Sequence, residues 1–226
     1  MEFLSASWWS ALLAIILIDL VLAGDNAIVI ALAARNLPRQ LQTRAILWGT
    51  VGAIIVRSAM TVGALWLLQV PGLMLVGGIA LLWIAHRLLA STDADPAHGP
   101  GAITFWAAMK TIVIADALMG IDNVLGVAGA AQGEFALVVI GLLISVPIVV
   151  FGSTMVLRLV QRFPVIVQAG AAVLAFTAAK MIVDEPLLRE VFDDVALRWG
   201  AYAVAVAGVL ASAAFARRRP STRPRR

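Results

Sequence analysis

Two acidic residues and an asparagine recur in the same order at two places in the chain, each time inside an apolar segment. The copies lie 97 positions apart and consist of Asp19, Asp25 and Asn26, then Asp116, Asp122 and Asn123. An ionised carboxylate near the centre of a bilayer costs at least about 2.5–3.5 kcal/mol on insertion scales. Four such groups need a compensating partner, and a bound cation would provide one.

The motif supplies oxygen ligands only, from carboxylates, from amide carbonyls and from main-chain carbonyls where a helix unwinds. Hard cations such as Mg²⁺, Ca²⁺ and Mn²⁺ prefer oxygen, whereas Zn²⁺, Cu⁺ and Ni²⁺ usually recruit sulfur or imidazole. The aspartates of both copies could neutralise a divalent ion and leave one carboxylate free to carry a proton. The residue types therefore predict a site for a hard divalent cation and are compatible with metal-for-proton exchange.

The spacing within each copy places its members unevenly around a helix. At about 100° per residue, Asp19 and Asn26 lie on one face within about 20°, whereas Asp25 points about 100° to the side of that face. A regular helix would spread these ligands. We therefore expect unwinding or a close approach of helices at the nearby glycines, which are Gly24, Gly120, Gly126 and Gly129.

Two other interpretations of the motif remain open. The polar groups could join helices by hydrogen bonds alone, although four aspartates and two asparagines in a repeat exceed what that role needs. Alternatively, an aspartyl dyad that shares one proton could carry out intramembrane proteolysis. Such a protease needs two aspartates and no repeated Asp-Asn pair, so we expect the protein not to be an enzyme.

Composition indicates a polytopic membrane protein. Of 226 residues, 62% are hydrophobic and 13% are charged, and the mean hydropathy is +0.98. Soluble domains contain about 45–50% apolar and about 25% charged residues. Cysteine is absent, which excludes disulfides and thiolate metal sites. Residues 1–7 hold one acid and no base, so we expect no secretory signal and a first apolar run that is itself a transmembrane helix.

Apolar runs long enough to cross a hydrocarbon core of about 30 Å occur seven times. They cover about 8–34, 44–69, 71–90, 105–131, 134–158, 163–183 and 198–216. With the N-terminus outside, thirteen basic residues face the cytoplasm and three face outward, so the positive-inside rule predicts an N-out, C-in protein of the inner membrane. Six of these arginines lie in the tail 217–226, which is typical of an anchor at lipid headgroups and gives no reason to expect a nucleic-acid partner.

The spans form a single transmembrane domain with an internal repeat. Repeat 1 covers about 8–90 and repeat 2 about 105–183, with the linker 91–104 between them and a seventh helix at 198–216 before the basic tail 217–226. Three spans per repeat is an odd number, so the second repeat enters the membrane from the opposite side. Such repeats place the substrate site at the midplane between them. We therefore predict an all-α fold of seven transmembrane helices, with two inverted three-helix repeats plus a peripheral seventh helix.

A few polar residues lie outside the motif. Arg57, in the middle of the second span, either pairs with an aspartate of the motif in the metal-free state or forms a permanent structural ion pair. Ser145 occupies the comparable region of the fifth span, where no base replaces Arg57. His86 and His98 are far in sequence from the carboxylates and are not expected to bind metal. The loop acids, Glu185 among them, are expected in a solvated outer loop.

Two segments resemble a known family: DLVLAGDNAIVIALAARNLP, which begins at Asp19, and DALMGIDNVLGVAGAA, which begins at Asp116. They are similar to the TerC family of integral membrane proteins, in particular its compact YjbE-like bacterial branch, and the similarity extends over about residues 8–216. The resemblance implies seven spans, manganese export, a historical link to tellurium resistance and a relation to the LysE-type exporters. It also implies which positions associate with the metal: Asp19, Asp25, Asn26, Asp116, Asp122 and Asn123.

The combined prediction is a secondary transporter that exports a hard divalent cation, with Mn²⁺ as the first choice. The metal is the transported substrate, and no cofactor is permanently bound. The transporter lies in the lipid bilayer, and the sequence leaves open whether it forms a homodimer. Alternating access would come from one repeat rocking against the other. The alternatives are an exporter of a small organic solute or oxyanion, for which only Arg57 lies deep enough, and a membrane scaffold that transports nothing.

Overall fold

The computed structural model describes residues 5–67, 69–90, 104–131, 134–163 and 165–218, without the side chains of 21–23, 65, 122, 125 and 213–218. All regular structure in these ranges is helical, which confirms the all-α prediction. The α-helices in chain order are α1 (Ala6–Ala34), α2 (Arg39–Val62), α3 (Ala64–Leu67), α4 (Leu73–Ala90), α5 (Phe105–Ala131), α6 (Phe135–Arg162), α7 (Val165–Val183) and α8 (Val195–Arg218). The predicted linker and basic tail lie almost wholly outside the described residues.

Five of the helices are long and apolar enough to span a membrane on their own: α2, α4, α6, α7 and α8 up to Ser212. α1 is a sixth candidate, bent by 49° between its segments Ala6–Leu20 and Gly24–Ala34. Large apolar side chains also cover the outside of the molecule, with Val62 71%, Phe151 73% and Val204 72% exposed. An exterior of this kind requires lipid around it. The protein is therefore an integral membrane protein with several spanning helices.

The bend in α1 lies beside Gly24, where the sequence predicts a break in the helix. α5, which carries the second copy of the motif, is helical from Phe105 to Ala131, so its backbone is not unwound. A Cβ on Gly24 or Gly129 would meet no described atom within 4 Å. These two glycines therefore do not serve a close approach of helices.

The second span begins and ends earlier than its hydropathy predicts. α2 starts at Arg39, directly after Pro38, and stops at Val62, where the N–H of Gly63 bonds to the carbonyl of Ala59 at 3.2 Å. The short α3 follows, and Gly72 then takes a left-handed φ of 81° just before α4. A residue with a Cβ would be strained at this φ, so glycine is required at the turn into α4.

The long helices pack in pairs that join the two halves of the chain: α1 on α6, α2 on α5 and α4 on α7. Glycines bring two of these pairs close together. A Cβ on Gly49 of α2 would lie 2.8 Å from Ile112 of α5, and a Cβ on Gly141 of α6 would lie 2.6 Å from Ile15 of α1. Ile15 and Ile112 are 97 positions apart, which is also the spacing of the two Asp-Asn copies. The isoleucines of these two close contacts thus have the same spacing as the two Asp-Asn copies.

α4 and α7 approach each other at their backbones. A Cβ on Gly78 of α4 would lie 2.6 Å from the carbonyl oxygen of Ala178 in α7, an atom that cannot rotate away as a side chain can. α8 packs against the outside of this pair, where the Nδ1 of His86 and the Oγ of Ser212 are 2.8 Å apart. The last helix is thus peripheral, as the sequence predicts.

Glu185 caps the beginning of α4 and is only 1% exposed, so the expectation of a solvated carboxylate is wrong. Its oxygens accept hydrogen bonds of 3.0–3.4 Å from four backbone N–H groups, those of Gly72, Met74, Leu75 and Leu187. Burial alone would raise the pKa of the Glu185 carboxyl, but these hydrogen bonds outweigh it and hold the pKa below its ordinary value of 4.5. The carboxylate therefore stabilises the start of α4 and ties it to the loop after α7.

Replacing Glu185 with Gln should lower the stability of the purified protein by about 1.5–3 kcal/mol at neutral pH, because hydrogen bonds to a charged acceptor are lost. Since the folded-state pKa is lowered, the stabilisation is present above pH 4.5 and is lost as the pH falls through the folded value. Melting curves of the detergent-solubilised protein at several pH values measure both effects. A melting temperature of Glu185→Gln that equals the wild-type value at pH 7 would contradict the capping role.

Candidate cation site

A small cavity between α1, α2, α5 and α6 collects polar side chains from both halves of the chain. Its volume is about 20 Å³, enough for about one water molecule or one bare ion. It is lined by Asp19, Asn26, Ile30, Thr50, Ala53, Ile54, Arg57, Asp116, Ser145 and Val149. Asp19 and Asp116 lie near the middle of α1 and α5, so the cavity is far from the ends of these helices.

Arg57 is the central group of this cavity. Its Nη1 donates to Oδ1 of Asp19 in a short charged contact, and its Nη2 donates to Oδ1 of Asp116 at 2.5 Å. The three side chains are 6%, 5% and 9% exposed. One guanidinium therefore bridges a carboxylate from each copy of the motif, in surroundings where an unpaired charge would be very costly.

Ser145 of α6 provides a second donor to Asp19. Its hydroxyl makes a short hydrogen bond to Oδ2 of Asp19, and its Oγ also lies 2.8 Å from the carbonyl oxygen of Leu142. A hydroxyl has one hydrogen, so it can serve only one of these acceptors at a time. Asp19 thus accepts from α2 and α6 together.

Other polar atoms in the cavity find no hydrogen-bond partner among the described residues: Oδ1 of Asn26, Oγ1 of Thr50, Nε of Arg57 and Oδ2 of Asp116. Leaving a buried polar atom unpaired costs about 1–3 kcal/mol, and such atoms are rare without a functional reason. Three of the four atoms are oxygens. Together with the oxygens of Asp19 they form a set that can accept a cation.

Three of the six residues that the sequence associates with metal meet in this cavity: Asp19, Asn26 and Asp116. As the spacing of seven predicts, Asp19 and Asn26 lie on the same face of α1. Asp25 is half-buried and does not line the cavity; its Oδ1 accepts a hydrogen bond from the backbone N–H of Asn26 at 3.0 Å. This position agrees with the predicted sideways offset.

The second copy of the motif contributes less to the cavity. Asn123 donates from its side-chain amide to the carbonyl oxygen of Met119 at 3.1 Å and is not part of the lining. The side chain of Asp122 lies outside the described part of the chain. Within that part, no three His, Cys, Asp or Glu side chains come together as a metal site.

Thr50 and Ser145 line the site, but the sequence analysis gives them no role. Thr50 lies seven residues before Arg57 and hence on the same face of α2, a signal that could have identified it. Ser145 lies four residues after Gly141, one turn along α6 from the closest contact with α1. The corresponding position on α2, four residues after Gly49, is Ala53, which also lines the cavity.

Comparisons with known proteins show similarity over most of the chain. The model of the integral membrane protein TerC family matches residues 4–221 of the chain. The membrane protein YjbE of Bacillus subtilis is 44% identical over 178 residues, which cover 79% of this chain and 81% of YjbE. No solved structure matches the chain.

More distant relatives are longer proteins. The UPF0053 inner membrane protein YoaE of Escherichia coli K12 is 29% identical over 187 residues, which cover 74% of this chain but 36% of YoaE. The membrane protein YkoY of Bacillus subtilis is 23% identical over 189 residues, which cover 75% of this chain and 58% of YkoY. With a family model that spans nearly the whole sequence and a relative of similar size, the chain belongs to the TerC family of integral membrane proteins.

Proposed function

We propose that the protein is a secondary transporter that exports a hard divalent cation, Mn²⁺ first among them, through the cavity around Arg57. One observation carries the proposal. The buried carboxylates of Asp19 and Asp116, one from each copy of the motif, converge on a single positive charge in that cavity. A site that already holds one cation between two carboxylates has the charge distribution that binding another cation requires.

The guanidinium of Arg57 stands where the metal would lie. Once it withdraws, Asp19 and Asp116 present two negative charges, which match the charge of a divalent ion. Asn26 and Thr50 add neutral oxygens whose hydrogen-bonding capacity is unused among the described residues. No sulfur or imidazole belongs to the lining, so the set suits Mn²⁺, Mg²⁺ and Ca²⁺. The resemblance to the YjbE-like branch selects Mn²⁺ among them.

The remaining residues of the motif act beside the cavity. In this proposal Asp25, Asp122 and Asn123 complete the ligand shell while the ion passes, and one aspartate carries the coupling proton. Arg57 neutralises the empty carrier, so that the metal-free protein can return without two bare charges in the bilayer. No permanently bound cofactor is needed.

The architecture in this proposal is the predicted set of seven spans, with α1, α2 and α4 repeated in the same order but with opposite orientation in the membrane as α5, α6 and α7, and with α8 at the periphery. Two features support it. If α1 corresponds to α5 and α2 to α6, the pair of α1 with α6 corresponds to the pair of α2 with α5, and both pairs are in extensive contact. The contact of Gly49 with Ile112 likewise corresponds to the contact of Gly141 with Ile15. In this proposal the N-terminus lies outside the inner membrane and the C-terminus in the cytoplasm, and the distribution of basic residues supports this orientation by the positive-inside rule.

The alternative cargo, an oxyanion or a small organic anion, has less support. It depends on Arg57 as the deep basic group, and this guanidinium is already engaged by two carboxylates.

Flux into proteoliposomes tests the proposal. Purified protein, reconstituted with a pH-sensitive dye inside, is offered Mn²⁺, Ca²⁺ or Mg²⁺ in separate experiments. We expect Mn²⁺ flux well above that of protein-free liposomes, together with proton movement in the opposite direction. Flux of an oxyanion such as tellurite in place of any divalent cation would favour the alternative cargo, and the absence of divalent flux would overturn the proposal.

A further inference from the structure

A second and larger cavity lies where α2 and α5 end and α6 begins. Its volume is about 220 Å³, and its lining includes Thr61, Val62, Ala128, Ala131, Glu134 and Val138. Six waters around an ion occupy about 180 Å³ at about 30 Å³ per water. The cavity can therefore hold a hydrated divalent ion, whereas the cavity around Arg57 has room only for a bare one.

The electrostatic surroundings of this cavity favour cations. Val62 is the last residue of α2 and Ala131 the last of α5, so two helix C-termini, each with a partial negative charge of about half an electron, border the cavity. Glu134 adds a carboxylate at the start of α6. The described lining residues include no lysine or arginine.

The cavity also lies next to the site of the two carboxylates. Thr61 lines it, and the hydroxyl of Thr61 donates to the carbonyl oxygen of Arg57 at 2.9 Å. The four residues from Arg57 to Thr61 span about 6 Å along α2. The seven residues from Val138 to Ser145 span about 10 Å along α6. An ion released at Arg57 thus has a short distance to travel.

Two corresponding positions at the opposite end of the molecule are more deeply buried. Under the proposed repeat, Gly49 of α2 corresponds to Gly141 of α6, because each makes the close contact described above. Each residue of α1 corresponds to the residue of α5 that lies 97 positions later. Thr61, which is 7% exposed, then corresponds to Ser153, which is completely buried, and half-buried Ala128 corresponds to Ala31, which is also completely buried. Among the described residues the packing around Ala128 is therefore looser than around its counterpart Ala31.

We propose that the cavity beside Glu134 is an outer vestibule, in which the divalent ion regains its water after leaving Asp19 and Asp116, and that the molecule stands in its outward-facing state. The inference rests on the proposed cation export and adds that the open end of the transport path faces the outside of the membrane. Because the chain has no cysteine, it can be tested with single-cysteine variants that need no other change.

The experiment compares Ala128→Cys with its matched control Ala31→Cys in right-side-out and inside-out membrane vesicles. The probes are membrane-impermeant methanethiosulfonates, one cationic and one anionic, and each rate is divided by that of a free thiol. Ala128→Cys should react in right-side-out vesicles, whereas Ala31→Cys should react in neither right-side-out nor inside-out vesicles. The cationic probe should react about tenfold faster than the anionic one, and Glu134→Gln in the same background should remove most of this preference.

Equal reactivity of the two variants, or reaction of Ala128→Cys only in inside-out vesicles, would overturn the vestibule. The outcome does not depend on transport. Mn²⁺ flux with an unreactive Ala128→Cys refutes the vestibule and keeps the export. The expected labelling without Mn²⁺ flux refutes the export of that ion and keeps a water-filled outer cavity for another cargo.

Discussion

Asp19→Asn and Asp116→Asn should each reduce Mn²⁺ flux by about 100-fold or more, because each removes one of the two charges that hold the ion; a factor of 100 corresponds to about 2.7 kcal/mol. Each single variant leaves Arg57 with one carboxylate, so we expect the protein to fold and reach the membrane. Flux in proteoliposomes, normalised to reconstituted protein, measures the effect. In cells the same variants should raise the manganese content.

A matched control is Asp193→Asn, because Asp193 is an exposed aspartate in the loop before α8. It should transport as the wild type does. If Asp19→Asn and Asp116→Asn also transport normally, the two carboxylates do not form the cation site. If both fail only because they are absent from the membrane, the measurement moves to the purified, folded fraction, where loss of flux is still required.

Arg57→Met should lower the stability of the metal-free protein by about 3–5 kcal/mol, since removal of one partner leaves the buried carboxylates of Asp19 and Asp116 without a counter-charge. Mn²⁺ should then restore much of this stability, because a ligand that binds the folded state at about 100 times its dissociation constant adds about 2.7 kcal/mol. Melting temperatures of the detergent-solubilised protein with and without Mn²⁺ measure both quantities. The wild type should respond to Mn²⁺ much less, because its guanidinium competes with the ion.

The same variant separates the two roles that the sequence leaves open for Arg57. If Arg57→Met is destabilised and Mn²⁺ does not restore it, the arginine forms a permanent structural ion pair. Arg57→Lys is the matched control: it keeps the charge but lacks the fork that reaches both carboxylates, so its melting temperature should fall between those of wild type and Arg57→Met.

The sequence predicts those parts of the site that depend on local helix geometry. The period of 3.6 residues suffices to place Asp19 and Asn26 on one face and Asp25 beside it. It does not determine which helices face each other. The contacts of Arg57 with Asp116 and of Ser145 with Asp19 depend on helix packing, so the period alone does not predict them. The expectation that Glu185 is solvated is wrong for a similar reason. Its donors include Gly72, 113 positions away, and a local hydropathy pattern carries no information on such a contact.

The helix boundaries differ from the prediction for a local reason. Hydropathy stays high on both sides of Gly63, so an apolar window continues through a point where the hydrogen-bonded helix stops. The bend in α1 is similar, because glycine permits a break without requiring one. This explains why Gly24 lies beside a bend whereas the helix around Gly120 is continuous.

The contact between α4 and α7 has a mechanical consequence. A Cβ at position 78 would collide with the carbonyl oxygen of Ala178, so the backbones of the two helices lie close together there, and Glu185 joins the loop after α7 to the beginning of α4. One of these helices comes from each half of the chain, so a hinge between the halves would have to pull this pair apart. In the proposed transport cycle, the hydrogen bonds of Glu185 between the loop after α7 and the start of α4 therefore contribute to the cost of moving one repeat against the other.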